Sequence, residues 1–422
     1  MLEVMRLTDQ PGLDSRLGTL LDVSRRLGGT IELTPLLQRV TDAARDVLGC
    51  ERATVFLYDE TAHELFSRVA TGSDEIRFSA DLGIAGQAAR TGAIINVPDA
   101  YADARFNRDI DRQTGYRTRN LLAFPLRDHE ARLVGVLQVL NKVDGPFTDG
   151  DEQMASVLSS LAGVAIQRQR LIEADAEKKK LERDLSLARD IQQSLLPQTP
   201  PTLRGFDIAG FNRPADATGG DCFDFVQLDQ TRAAILVADA TGHGIGPALL
   251  VSQLRTMLRV LMRTTRDPSE LLRLANEQLC EDLPSGMFVT TFLGIIDAGT
   301  GELDYYSAGQ GPLLYVRRGD ARPAQYGSHT MPLGIVQPLP DEPRTPVRLG
   351  AGDVFLVLTD GFFEAAGADG TQFGVDRISE IVRRADADGA SALIRRMNTA
   401  LDDFISGEPQ SDDLTAVVIK RC

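Results

Sequence analysis

FDIAGFNRPADATGGDCFDFVQLDQTRAAILVADATGHG, residues 206–244, sets out three strand patterns separated by turn chemistry. FDIAGFNRP, DFVQLD and AAILVADA are short, rich in β-branched or aromatic residues, and bounded by Gly, Asp, Asn or Pro. Downstream, residues 246–263 and 268–281 have helical periodicity, and 289–320 form a meander with AGTG and QG turns. VFLVLTDG (354–361), two more helices and DLTAVVIK (413–420) complete this half. Strands that mostly cluster, with helical pairs between them, predict an α+β sandwich rather than a doubly wound sheet.

Upstream, Pro197, Pro200 and Pro201 stop a long helical pattern. From about Asp151 to Leu196 neither proline nor a tight-turn dipeptide interrupts it. Leu158, Leu161, Ala165 and Ile172, then Leu181, Leu185, Ala188, Ile191 and Leu195, give apolar spacings of about three, four and seven. Either a dimeric coiled-coil seam or a solvated connector helix accounts for this pattern. Before it, residues 31–49 have helical periodicity, whereas 53–60, 64–71, 93–99, 121–128 and 133–142 read as strands. One antiparallel sheet flanked by helices is the simplest arrangement. The expected organisation is a tail over 1–14, a first domain over 15–151, a linker helix over 152–196 and a second domain over 197–422.

Composition agrees with two domains. The 422 residues are 43% hydrophobic and 25% charged, enough apolar material for more than one core. A net charge of −15 argues against non-specific attraction to nucleic acid or anionic membrane. Four scattered cysteines without a CxxC pair suit a reducing cytosol, not a disulfide framework or zinc site. The first residues lack the apolar core of a secretory signal, and no apolar run approaches the roughly 20 residues of a membrane span. A cytoplasmic protein without direct membrane insertion is the expectation.

The chemistry-bearing residues are carboxylates. Asp221 in ATGGDCFDF, Asp239 in ILVADATGHG, Asp360 in FLVLTDG and the pair Asp412–Asp413 in QSDDLTAVV lie beside glycine turns or at predicted strand ends. Each alone is an ordinary turn or cap residue. Convergence of several would give an oxygen-rich pocket of the kind that Mg²⁺ or Mn²⁺ prefers. Only four histidines are present, none at metal-motif spacing, which disfavours zinc. Two hard cations about 3.5–4 Å apart activate water and neutralise a phosphoryl group.

GFDIAGFNRPADATGGDCFDF, VADATGHGIGPALL, YYSAGQGPLLY, GDVFLVLTDGFFEA and SDDLTAVVI, with the lead-in ARDIQQSLLP, resemble the ordered motifs of the metal-dependent protein phosphatase (PPM, PP2C-like) superfamily, in its SpoIIE/RsbU-like branch. The resemblance spans about 188–422 and implies an αββα sandwich with two or more Mn²⁺ or Mg²⁺ ions. It also implies that Asp221, Asp239, Asp360 and Asp412 are the catalytic metal-holding set, with the carbonyl of Ala240 and with Asp413 assisting. The implied substrate is a phosphoserine or phosphothreonine on an anti-sigma-factor antagonist. Ala240 stands where the family often has Gly, a change that a carbonyl ligand tolerates. His243 is offset from the acid proposed in eukaryotic relatives and reads as a turn or cap residue. GGDCF resembles a cyclase GGDEF signature, but Cys222 replaces the acidic residue. GHGIG mimics a dinucleotide loop without its spacing.

Residues 94–141 resemble a GAF domain, a likeness that extends over about 15–170. Asn141, Lys142, Phe147, Asp151 and Glu152 match the N-K-x(n)-F-x3-D-E pattern of GAF domains in cyclic-nucleotide phosphodiesterases and some adenylyl cyclases. There the Lys and Asp form an ion pair beneath the nucleotide, so the pattern marks a competent pocket more than direct contacts. A cyclic nucleotide is therefore one implied ligand. A domain that only dimerises, or binds something else, is the alternative, with DGPFTDGDE serving merely as a turn and N-cap. The combined expectation is a signal-responsive phosphatase, a homodimer regulated through its linker helix. The rivals are a non-catalytic phosphoprotein-binding scaffold and a nucleotide-binding oxidoreductase or cyclase.

Overall fold

The computed structural model describes residues 25, 32–67, 76–284, 286–320, 322–340, 343–384 and 388–422. The expected tail over 1–14 lies outside the described residues. The chain divides into two compact units, 1–180 and 181–422, and each is described by itself.

The first unit begins with α1 (Leu33–Leu48), whose buried Leu33, Leu36, Leu37, Val40, Ala44 and Leu48 recur every three to four residues. Gly49 closes it in the left-handed conformation, φ 60°. There follow β1 (Cys50–Asp59), β2 (Glu64–Phe66), β3 (Arg77–Ser79), α2 (Gly83–Thr91), β4 (Ile95–Val97), α3 (Arg108–Thr114), β5 (Leu121–Arg127) and β6 (Leu133–Lys142). The strands form one antiparallel sheet in the order β3-β2-β1-β6-β5-β4. One face packs on α1 and the first turns of α4 (Asp149–Leu195) through Val55, Leu122, Phe124, Leu158 and Ile166. The other packs on α2 through Phe56, Ile84, Ala88, Leu121 and Val136. The helix α4 has 47 residues, about 70 Å at 1.5 Å per residue. Leu158, a residue of the expected seam, is spent in the first unit's core, whereas Leu181 and Ile191 are exposed.

The second unit is an αββα sandwich. One five-stranded sheet runs β14-β11-β10-β9-β8, and a second runs β13-β12-β15-β16-β7. The strands are β7 (Phe206–Arg213), β8 (Asp221–Gln227), β9 (Arg232–Ala240), β10 (Val289–Asp297), β11 (Glu302–Ala308), β12 (Leu313–Val316), β13 (Ala324–Tyr326), β14 (Val347–Arg348), β15 (Val354–Leu358) and β16 (Leu414–Arg421). The helices α5 (Ile245–Leu261) and α6 (Pro268–Asp282) cover the first sheet. After β15 come a short α7 (Asp360–Glu364), then α8 (Gly374–Arg384) and α9 (Ala390–Ile405), which cover the second sheet. Alternation decides which side chain goes where: Phe355, Val357, Val417 and Ile419 face the layer between the sheets, and Leu356, Leu358, Ala416 and Val418 face α8 and α9. Stacked Phe292 and Tyr305 from the first sheet, 5.4 Å apart, meet Phe355 of the second at 6.1 and 5.7 Å. Among the described residues no helix is long and apolar enough to cross a membrane.

Candidate functional site

The antiparallel register of β8 and β9 sets Asp221 directly opposite Asp239. Asp221 is 2% exposed and Ala240 1%, while Asp239 is half-buried. From the other sheet, Asp360 opens α7 immediately after β15, and Asp412 and Asp413 immediately precede β16. Asp360 and Asp412 are exposed and Asp413 is buried. The paired sheets thus bring the edge aspartates of four strands to one end of the sandwich.

Their electrostatics are those of uncompensated negative charge. Burial, then the charge of Asp239, pushes Asp221 well above the carboxylate range, although hydroxyls of Thr359 and Thr415 oppose this. Asp239 is pushed up to about 7 by burial and by Asp360 and Asp412. Asp360 is raised by burial and then by Asp412 and Glu364. For each of these groups the charges acting most strongly are other carboxylates. Such an all-oxygen, anionic donor set has the chemistry of a hard divalent cation site. Among the described residues, no three Asp, Glu, His or Cys side chains are drawn together in finished metal-ligating geometry. The residues supply donors rather than a closed shell.

Glycines permit the close approach. A Cβ at Gly220 would stand 2.7 Å from the carbonyl oxygen of Ala240, and one at Gly361 would stand 2.1 Å from that of Asp413. Hydrogen bonds then lock the arrangement. Thr359 Oγ1 donates to Asp221 Oδ2 (2.7 Å) and accepts from the Thr415 amide (3.0 Å). Gln310 Nε2 donates to the Leu358 carbonyl (2.8 Å), while its Oε1 accepts from Thr290 Oγ1 (3.0 Å). Thr290 is the β10 partner of Asp239, so Gln310 ties the strand beside Asp239 to the end of β15. Asp413 gives one oxygen to the Ala215 amide (2.7 Å) and the other to the Asp221 amide (3.3 Å). Its buried carboxyl is raised by burial against the pull of these amides. Asp412 Oδ1 accepts from the Asp413 amide (2.8 Å), and Asp412 lines a cleft with Arg213, Gly361, Leu401 and Gln410. Arg213 donates to Gln410 (2.8 Å) and Asp402 (2.8 Å). His243 is an exposed turn residue 3.1 Å from Asp216.

Sequence reading missed Thr359, Thr415, Gln310 and Asn212. All four lie inside the quoted motifs, but nothing in their spacing distinguishes a partner of the carboxylate site from an ordinary strand or turn residue.

In the first unit the motif residues gather at the end of β6. Lys142 Nζ meets Asp151 Oδ2 at 2.5 Å, both largely buried. The same oxygen accepts from the Thr148 amide (2.7 Å) and hydroxyl (2.8 Å). Phe147 packs 5.8 Å from the Lys142 ammonium, and Glu152 accepts from Asn96 (2.9 Å). Asn141, 1% exposed and at φ 57°, accepts from the Arg119 amide (2.7 Å) and donates towards the Arg117 carbonyl, Tyr116 and Glu51. These five side chains therefore clasp the α3–β5 loop, β6 and the start of α4 to one another.

Comparison with known proteins bears on the fold and the order of the domains. Residues 229–422 match the family described as Stage II sporulation protein E (SpoIIE), and residues 32–166 match the GAF domain. The SiaA-PP2C domain of Pseudomonas aeruginosa is 23% identical, with a TM-score of 0.52, covering 58% of this chain and 98% of that one; the likeness is one of fold. The protein named "Probable 3',5'-cyclic phosphodiesterase pde-5" of Caenorhabditis elegans is 32% identical over 167 residues, covering 36% of this chain and 23% of that protein. "Dual 3',5'-cyclic-AMP and -GMP phosphodiesterase 11" of Drosophila melanogaster is 42% identical over 120 residues, covering 28% of this chain and 8% of that protein. The chain thus spans less than a quarter of the curated relatives it matches. It is built as a GAF-like helix-and-sheet domain joined by a helix to a PP2C-like sandwich. More closely, it carries a GAF domain followed by a SpoIIE-type phosphatase domain.

Proposed function

We propose that the chain is a divalent-metal-dependent phosphoserine/phosphothreonine protein phosphatase controlled by its GAF domain. The observation that carries this reading is the gathering of Asp221, Asp239, Asp360 and Asp412 at one end of a PP2C-like sandwich, where burial and then neighbouring carboxylates raise Asp221, Asp239 and Asp360. These four, with the Ala240 carbonyl, would hold two Mn²⁺ or Mg²⁺ ions, and Asp413 keeps the β7–β8 turn in place beside them. Bound there, the ions supply Lewis acidity to a phosphoryl oxygen and bring water closer to ionisation. The chain's own part is to fix the carboxylates: Thr359 orients Asp221, and Gln310 holds the two sheets at one spacing. On this reading the attacking group is a metal-activated water, and hydrolysis proceeds without a covalent enzyme intermediate.

The SpoIIE likeness of residues 229–422 favours a phosphorylated anti-sigma-factor antagonist as substrate. The likeness to two proteins named as cyclic-nucleotide phosphodiesterases favours a cyclic nucleotide as GAF ligand. Val157, Val164 and Leu171, seven residues apart on α4 and 43%, 44% and 59% exposed, suit the seam of a homodimer. The test is Mn²⁺-dependent hydrolysis of p-nitrophenyl phosphate and a phosphoserine peptide by the full chain, with and without cAMP or cGMP. Chelation should abolish turnover, and Asp239→Asn and Asp360→Asn should each reduce it at least about 100-fold. Folded variants that turn over at the wild-type rate would sink the proposal.

A further inference from the structure

The last turn of α4 holds the turn that leads into Asp221. From residue 170 to 191 every position of this helix is exposed or half-buried. Gln192 then turns inward at 7% exposure. Its Nε2 donates to the Gly219 carbonyl (2.7 Å), and its Oε1 accepts from the Gly219 amide (3.1 Å). One side-chain amide thus pairs with one peptide unit, much as a neighbouring strand would. Gly219 lies two residues before Asp221, pressed so closely on Asp413 that a Cβ there would stand 2.5 Å from Asp413 Oδ2. The next residue, Gln193, donates to Asn212 Oδ1 (3.4 Å). Asn212 in turn donates to Thr415 Oγ1 (2.9 Å) and to the Asp221 carbonyl (3.5 Å). The turn between β7 and β8 is therefore gripped at both ends by consecutive glutamines, with Leu196 anchoring the helix end in the core.

We infer that Gln192 and Gln193 are positioning residues for the carboxylates of Asp221 and Asp413, so that the metal affinity of the site depends on how the last turn of α4 is seated. This rests on the carboxylates being a metal site, as proposed above. The chemistry is that of groups behind a metal's ligands: they touch no ion, but fix the backbone from which a ligand projects, and losing such a partner typically costs 10–100-fold in affinity. The same α4 begins in the core of the GAF domain through Ala155, Leu158, Ala162 and Ile166.

The experiment uses the full chain and two readouts. The first is amide exchange of residues 214–222 in metal-free protein. The second is Mn²⁺ affinity by electron paramagnetic resonance, with p-nitrophenyl phosphate turnover alongside. Gln192→Met keeps the side chain's length and apolar stem but loses both hydrogen bonds. It should raise exchange in this segment and weaken Mn²⁺ binding about 10–100-fold. Gln193→Met, which removes a longer bond, should act in the same direction and more weakly, and it carries the test if Gln192→Met does not fold. Ser194→Ala, on the same turn but with its hydroxyl donating to the Ile191 carbonyl (2.7 Å) of its own helix, should match wild type in both readouts. Unchanged exchange, or faster exchange with unchanged Mn²⁺ affinity, overturns the inference and leaves the glutamines as simple docking contacts. Wild-type protein that takes up no Mn²⁺ overturns both the inference and the metal site. Wild-type protein that binds Mn²⁺ without turnover overturns the phosphatase reading alone, and the affinity arm still judges the glutamines.

Discussion

Replacing Lys142 with Met removes the cation paired with a buried, hydrogen-bonded carboxylate and should destabilise the GAF domain markedly. Asp151 is 4% exposed, and its Oδ2 accepts from Lys142 Nζ (2.5 Å) and from the amide and hydroxyl of Thr148 (2.7 and 2.8 Å). Breaking a buried pair by deleting one partner costs about 3–5 kcal/mol. Here Thr148 still donates twice and Lys142 keeps some exposure, so the expected cost is about 2–3 kcal/mol. Burial alone would raise Asp151, but Lys142 and Thr148 outweigh it and hold its carboxyl below the usual range. A carboxylate with a depressed folded pKa contributes stability that is present above its unfolded value and lost as pH falls through the folded one. The gap between wild type and variant should therefore be full at neutral pH and shrink below about pH 4. The assay is native-state amide exchange of the full chain, which reads each domain separately although the whole chain need not unfold in one step. Protection in β5 and β6 should fall roughly 30- to 150-fold at pH 7, with β9 and β16 unchanged as internal controls. Adding Asp151→Asn should recover part of the loss, because no uncompensated charge is then buried. A loss below about 1 kcal/mol at pH 7, or one that persists undiminished at pH 3, would refute the reasoning.

Three further outcomes follow from packing and burial. Gly220→Ala and Gly361→Ala each force a Cβ against a backbone oxygen, at 2.7 and 2.1 Å. Each should cost about 1–3 kcal/mol in thermal or urea unfolding, and a wild-type melting curve would contradict the packing. Burial pushes the Cys50 thiol up to about 12 and raises Cys222 still further, whereas Cys422 is exposed. Maleimide at pH 8 should therefore label Cys422 first and reach Cys50 and Cys222 only on unfolding, as peptide mass mapping would reveal. Asn276, 0% exposed, donates to the Val336 carbonyl (2.9 Å) and accepts from the Gly334 amide (2.8 Å). Asn276→Ala leaves both groups without their partner and should lower unfolding free energy by about 2–3 kcal/mol; an effect under 0.5 kcal/mol in urea titration would contradict that role.

Periodicity made most elements legible. Apolar residues at intervals of three and four mark α1, α5 and α6, and the β-rich runs of the second half mark β7, β9, β15 and β16. The short β3, α2 and α3 were not legible, because three to nine residues carry too little pattern to separate an element from a loop. The aspartates beside glycine turns were legible as a group for a local reason: a strand end next to glycine leaves a carboxylate and backbone carbonyls at a sheet edge.

Which groups hold those aspartates was decided only in three dimensions. Gln192 and Gly219 are 27 residues apart, and Thr359 and Asp221 are 138 apart. Nothing local to either partner records such a pairing. Likewise Lys142 and Asp151 announce opposite charge on either side of one turn, yet only the packing of β6 against α4 excludes the water that would otherwise screen them. The sequence by itself determined the secondary-structure pattern and the kind of chemistry, because periodicity and residue type are local properties. The tertiary structure decided which carboxylates meet, how buried each one is and which side chains orient them, because these depend on chain segments that meet only when two sheets close.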